Sequence, residues 1–171
     1  MVRDGVGGIT LEAIADEAGM HRSLLRHNIG NREQLLDAFY DRFFAESDRS
    51  LHQLLDHLPT RNRAESLVEQ LFDQRYTDSQ LTLITMALIT ASTNDQRLRQ
   101  RLRQWNQQFV DVIARELETS SSMANTDTCN VVATGITAIY FNCESLTPLG
   151  DMHELRQASK LAAHRLISNL G

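Results

Sequence analysis

The stretch Gly7–Phe43, GGITLEAIADEAGMHRSLLRHNIGNREQLLDAFYDRF, decides how the rest of the chain is read. Thr10 is placed to cap a short helix whose Ile14, Ala15 and Ala18 face inward. Gly19 breaks that helix, and Met20 with Leu24 or Leu25 restarts an apolar stripe on a second one. Two short helices joined by a glycine-containing turn make a helix-turn-helix, here over about residues 10–29. The second helix exposes His21, Arg22, Ser23, Arg26 and His27. Immediately afterwards Asn31, with Gln34 three residues on, carries a capping-box signature. Leu36, Phe39, Phe43, Leu51, Leu54, Leu55 and Leu58 then recur at spacings of three and four, which predicts a long helix from about Arg32 to His57.

The remainder reads as helix throughout. Leu98, Leu102, Trp105, Phe109, Ile113 and Leu117 form a second long amphipathic stripe, entered through Asn94 or Asp95. The segments SQLTLITMALITAST and CNVVATGITAIYF are rich in β-branched residues, so propensity alone allows strands. Their length decides for helix, since about fifteen residues without a turn is long for a strand and no companion strands exist to complete a sheet. Leu155, Ala158, Leu161, Ala162, Leu166 and Ile167 give a last helix a face of apolar and small residues suited to close packing. Pro59 and Pro148 stand where helical patterns stop and read as connections. The fold class is therefore all-α, with an N-terminal lobe over residues 1–45 and a helical domain over 46–171.

The chain has 171 residues, is 42% apolar and contains two prolines and eight glycines, enough for one proper core and too ordered in pattern for a disordered protein. No apolar run approaches the roughly twenty residues that span a bilayer, and MVRDGVGG lacks the apolar core of a secretory signal; a cytoplasmic location is expected. Cys129 and Cys143 lie fourteen residues apart, about 21 Å along one helix, too far for a disulfide. They are expected as small buried apolar side chains. Formal net charge is −5, which taken alone argues against a polyanionic partner. Resolved along the chain, Ala18–Arg32 holds three arginines and no acid, +3, and the other residues sum to −8.

At this point the sequence resembles the TetR family of bacterial transcriptional regulators, through Thr10, Ile14, Ala15, Ala18, Gly19, Leu25, His27, Gly30, Arg32, Glu33, Leu35 and Leu36. The resemblance covers about the first forty-five residues. It implies a DNA-binding lobe followed by an all-helical effector-binding and dimerisation domain. Thr10 and Arg32 would hold phosphates at helix N-termini. His21, Arg22, Ser23, Leu24, Arg26 and His27 would lie in the major groove. The departures fall in the same helix: Leu24 stands where the family often has threonine, Arg26 where it usually has tyrosine, and Ile29 where it usually has phenylalanine. Family members also begin with a helix that leads into a turn like VRDGVGGIT; here Met1 and Val2 open almost at its end, so a start upstream or a lobe lacking its first helix is expected.

The resemblance further implies a small-molecule effector between the middle helices, for which Phe72, Tyr76, Met86, Trp105 and Phe109 are candidates. It implies a homodimer through the last two helices, about Thr126 to Leu146 and Asp151 to Leu170, forming a four-helix bundle. The expected function is a ligand-responsive repressor of a pseudo-palindromic double-stranded DNA operator. The alternative is a helical ligand-binding or interaction protein without operator binding. No cofactor, metal or catalytic residue is expected. His52 and His57 are five apart and His153 and His164 eleven apart, neither at the i, i+4 spacing of a helical metal site. No G-x-S-x-G surrounds any serine, and the GVGG at Gly5–Gly8 lacks a preceding strand. Arg97, Arg99, Arg101 and Arg103, at two-residue spacing, read as a solvated face spread around a helix.

Overall fold

The computed structural model describes residues 6–76, 78–121 and 125–170. Among the described residues eight α-helices follow one another: α1 Leu11–Glu17, α2 Arg22–Ile29, α3 Arg32–Asp56, α4 Arg63–Leu71, α5 Ser79–Ala91, α6 Gln96–Ser120, α7 Thr126–Ser145 and α8 His153–Ile167. Among the described residues there is no strand, and no helix is long and apolar enough to cross a membrane. The expectation concerning the chain's start falls on Met1–Gly5, outside the described residues.

The long helices begin where the capping chemistry places them. Asn31 Oδ1 accepts from the Gln34 amide at 3.0 Å and Gln34 Oε1 accepts from the Asn31 amide at 2.9 Å, which satisfies two of the free donors at the start of α3. Asp95 accepts from the Leu98 amide at 2.9 Å and opens α6. The two segments of strand-like composition are helices, α5 and α7, as their length requires. Asp78 caps α5 and Asn125 caps α7, each with a side-chain oxygen on the first-turn amides.

Helix α3 threads three apolar clusters in succession. Its first turn gives Leu35 to a small cluster with Ile9, Leu11, Ala15 and Leu25. Its middle gives Tyr40 and Phe43 to a second, with Leu88 of α5 and Leu98, Leu102 and Trp105 of α6. Its last turns give Leu51 and Leu54 to the main core of α4, α6, α7 and α8, where Leu67, Leu71, Ile113, Leu117 and Ile136 are fully buried. A side-chain movement at one end of α3 is therefore attached, through a single continuous helix, to the packing at the other.

Cys129 and Cys143 share α7, are both fully buried and are both free thiols. Gly135 lets α8 come close: a Cβ there would stand 2.9 Å from Leu166 Cδ1. Facing away from the core, α7 exposes Val131, Thr134 and Ala138, and α8 exposes Ala158, Leu161 and Ala162. Five of the six residues read as the face of the last helix lie away from the core or only partly in it, while Ala163 and Ile167, with the polar Arg156 and Ser159, turn inward.

Two readings of the arginine run are corrected here. Arg97 Nη1 meets Asp37 at 3.1 Å and Arg101 Nη2 meets Asp41 at 2.5 Å, so these two clamp α6 to α3 and are not simply solvated. Arg101 also lies over the Phe44 ring, 4.8 Å from its centroid. At two-residue spacing a helix sends alternate side chains to different sides, and here one of those sides is occupied by α3.

Candidate nucleic-acid interface

Helix α1 starts with Thr10, whose Oγ1 accepts from the Ala13 amide at 3.1 Å. It ends with Gly19 in the left-handed region at φ 61°; the Met20 amide donates to the Ala15 carbonyl at 2.8 Å and the Gly19 amide to Asp16 at 3.2 Å. This paired closure turns the chain sharply and launches α2 across α1. Ala18, read from the sequence as inward-facing, is exposed, because it is the capping residue at the point where the chain leaves the helix axis.

Only Leu25 of α2 is buried, at 5% exposure, against Ala15, Leu11, Ile9 and Leu35. The other candidate resumptions of the stripe, Met20 and Leu24, are exposed at 37% and 50%. Apart from Ile29, which packs beside this anchor, the other residues of α2 are exposed. At 100° per residue Ser23 and His27 point directly away from Leu25, with Arg26 and Leu24 flanking on either side. His21 caps α2 by backbone alone, and Arg22 is its first residue. The sequence reading missed that Arg22 Nη2 is held 2.5 Å from Glu12 Oε1 of α1, both at least half exposed. The two residues stand ten apart, and only the angle of the turn brings them together.

Between α2 and α3 the backbone passes through Gly30 at φ 92°, ψ −129°. That region is closed to side-chain-bearing residues, and a Cβ there would collide with the Gln34 carboxamide that completes the capping box. Gly30→Ala is expected to lower stability by about 1–3 kcal/mol, read from the shift of a urea unfolding midpoint. An unchanged midpoint would mean that the turn relaxes freely. Arg32, in the first turn of α3, reaches back with Nη2 3.4 Å from the Val6 carbonyl, so the start of α3 and the segment ahead of α1 are neighbours. Thr10, His21, Arg22, Ser23, Leu24, Arg26, His27 and Arg32 are thus all at the surface, on a pair of short helices and the entry to a long one.

Behind this lobe lies a cavity of about 1310 Å³ among α3, α5, α6 and α7. Of the residues named from the sequence, Tyr76, Met86, Trp105 and Phe109 line it. Phe72 does not. It ends α4 in the main core, 3% exposed, with its ring edge-on to Tyr140, because the Leu67, Val68, Leu71 register turns it inward. Trp105 is wedged between Phe43 and Phe141 at 5.7 and 5.4 Å, and its Nε1 donates to Ser47 Oγ at 2.9 Å.

At the cavity wall, Glu144 takes part in an ion pair that the sequence did not suggest: Arg156 Nη1 of α8 lies 2.7 Å from Glu144 Oε1 of α7, both under 10% exposed. Burial pushes the Tyr76 hydroxyl up to about 12, helped by the Glu144 charge, and raises Tyr140 well above its ordinary value of 10 for the same first reason. Both hydroxyls are therefore protonated donors at neutral pH. Because the folded state then holds protons that the unfolded chain releases near pH 10, stability should fall as pH rises from about 10 to 12. A thermal midpoint at pH 11 equal to that at pH 9 would contradict this.

No family model matches the sequence, and no curated protein does. Solved structures do. A protein of Pseudomonas aeruginosa PAO1 assigned as a transcriptional regulator superposes with a TM-score of 0.77 over 99% of this chain and 83% of its own, at 16% identity. A protein of Rhodococcus sp. assigned as a TetR-family transcriptional regulator gives 0.63 over 99% and 91%, also at 16% identity. The chain shares their fold. What is common is the path of the backbone over nearly the whole of this chain. The side chains that face outward from α2 are this chain's own.

Proposed function

We propose that the chain is a TetR-type transcriptional regulator: a homodimer that occupies a pseudo-palindromic DNA operator through α2, acts as a repressor in the cytoplasm, and responds to a small effector in the cavity. The observation that carries the reading is that α2 docks with Leu25 as its one fully buried residue, Ile29 packing beside it. A helix fixed by one buried residue, with the three arginines of a +3 segment at its start, middle and exit, is built to present its outer face to a polyanion. The regulator fold of the neighbours supports it. The boundary near residue 45 would fall within α3, after which the body begins.

In this reading Ser23, His27, Arg26 and Leu24 meet base edges, Arg22 leaves Glu12 to bond a guanine, and Thr10 and Arg32 hold phosphates. The exposed small and apolar residues of α7 and α8 pair across a two-fold axis, where a second copy offers the same surface. The protein works by binding and not by chemistry.

The test is a gel-shift with DNA flanking the chain's own gene, followed by Arg22→Ala and Arg32→Ala. Arg22→Ala should weaken the specific site by about 1–3 kcal/mol and leave random DNA little changed. Arg32→Ala should weaken all sequences alike and reduce the salt slope by roughly one. Binding unchanged in both variants would overturn the assignment. Absence of any salt-sensitive retardation, with a ligand still raising the thermal midpoint, would favour a helical ligand-binding protein.

A further inference from the structure

The cavity is lined by three carboxylates and three arginines, and their pairing is uneven. Each carboxylate is engaged. Asp73 is held by Arg75 at 2.6 Å, Glu144 by Arg156 at 2.7 Å, and Asp78 accepts from the Gln80 and Leu81 amides at 2.9 and 3.0 Å. Arg75 is thereby neutralised. Arg99 and Arg103, one turn apart on α6 and so on the same face, meet no carboxylate among the described residues. Arg99 donates from Nε to the Ser92 carbonyl at 3.0 Å and from Nη2 to Thr93 at 2.6 Å, which aims the guanidinium without cancelling its charge. Arg103 is exposed and has no hydrogen-bond partner among the described residues.

Next to these two cations the wall is apolar. Met86 and Ile89 of α5 stand 42% and 54% exposed, and Leu81 also lines the space. Across it lie the rings of Trp105, Phe109 and Phe141. The volume, about 1310 Å³, exceeds the usual range of roughly 300–1,000 Å³ for small-molecule pockets and suits an extended molecule.

We propose that the cavity takes an amphipathic anion, with an elongated apolar body between α5 and the aromatic side of α6 and a carboxylate or phosphate head on Arg99 and Arg103. This rests on the effector reading above and names the chemical class. A cation would find two of the three lining carboxylates paired with arginines, the third capping α5, and two uncompensated guanidiniums against it. A neutral apolar molecule would fill the walls and leave the two arginines unused. The run of four arginines then divides by function: Arg97 and Arg101 hold α3, while Arg99 and Arg103 hold the ligand.

Trp105 is the single tryptophan and lines the cavity, so its fluorescence reports occupancy directly. Dodecanoate, dodecyl phosphate, dodecanol and dodecyltrimethylammonium are titrated separately into the full chain, each below its critical micelle concentration. The expected result is saturable binding of at least one anion, at least tenfold tighter than the alcohol or the cation; the tighter of the two anions assigns the head as carboxylate or phosphate. In the double variant Arg99→Gln, Arg103→Gln the anion should weaken at least tenfold while the alcohol is unchanged. Both residues are exposed, and a circular dichroism spectrum matching the parent confirms folding. Failure of both anions to bind, equal binding of alcohol or cation, or an unchanged anion affinity in the variant would overturn the proposal. The measurement contains no DNA. Anion binding without operator retardation would sink the regulator reading and leave the ligand class standing, and operator retardation without anion binding would do the reverse.

Discussion

Arg156→Ala is expected to lower stability by about 3–5 kcal/mol, because it takes the arginine away from the buried Glu144 carboxylate at the cavity wall. The urea midpoint should fall by roughly 1–3 M at a slope ordinary for a small protein, measured at fixed chain concentration so that self-association does not enter. The pair itself is not expected to be a large net stabiliser. Its desolvation offsets most of its attraction, so the double variant Glu144→Leu, Arg156→Leu should recover much of what the single one loses. The exposed Arg22–Glu12 pair makes the contrast, since its arrangement in water is worth about 0–1 kcal/mol. A midpoint for Arg156→Ala close to that of the parent would show that water reaches Glu144 freely.

Trp105→Ala should cost about 3–5 kcal/mol by the same measurement. The indole is 8% exposed, touches the rings of Phe43, Phe44 and Phe141, and is the hydrogen-bond donor to the buried Ser47 hydroxyl. Truncation removes the contact by which α6 grips the middle of α3 and leaves Ser47 without its donor. Trp105→Phe keeps an aromatic body and loses the N–H, so most of the packing should return with a residual deficit of about 1 kcal/mol. If Trp105→Ala were tolerated within 1 kcal/mol, the α3–α6 contact would not be a rigid one.

What the sequence made legible follows from how local the determinants are. Thr10, Asn31 with Gln34, and Asp95, one of the two caps offered for its helix, each act within one helical turn, so the starts of α1, α3 and α6 were readable, and so was the turn glycine Gly19. For α5 and α7, length outweighed the β-branched composition, and burial between helices completed the argument that propensity left open. Pairings across elements were not readable. Glu144 and Arg156 lie on opposite sides of Pro148, and Glu12 and Arg22 on opposite sides of Gly19; in both cases the angle of a turn sets the distance. The same holds for Arg97 and Arg101, sixty residues from the aspartates they meet. Phe72 shows the limit for single aromatic residues, since one step of helical register separates a cavity wall from a core.

The Arg97–Asp37 and Arg101–Asp41 clamps are exposed on at least one partner each, and exposed pairs loosen as ions accumulate, with a screening length near 8 Å at physiological ionic strength. Both lie on the part of α3 nearest its start, where the short helices attach. If the outer face of α2 holds DNA as proposed, added salt would act on this molecule twice: it would compete for the polyanion, and it would loosen the grip of α6 on the α3 turns that carry the short helices. A plot of log affinity against log salt would count more ions than there are phosphates touched, and the excess would measure how firmly the body steers the lobe.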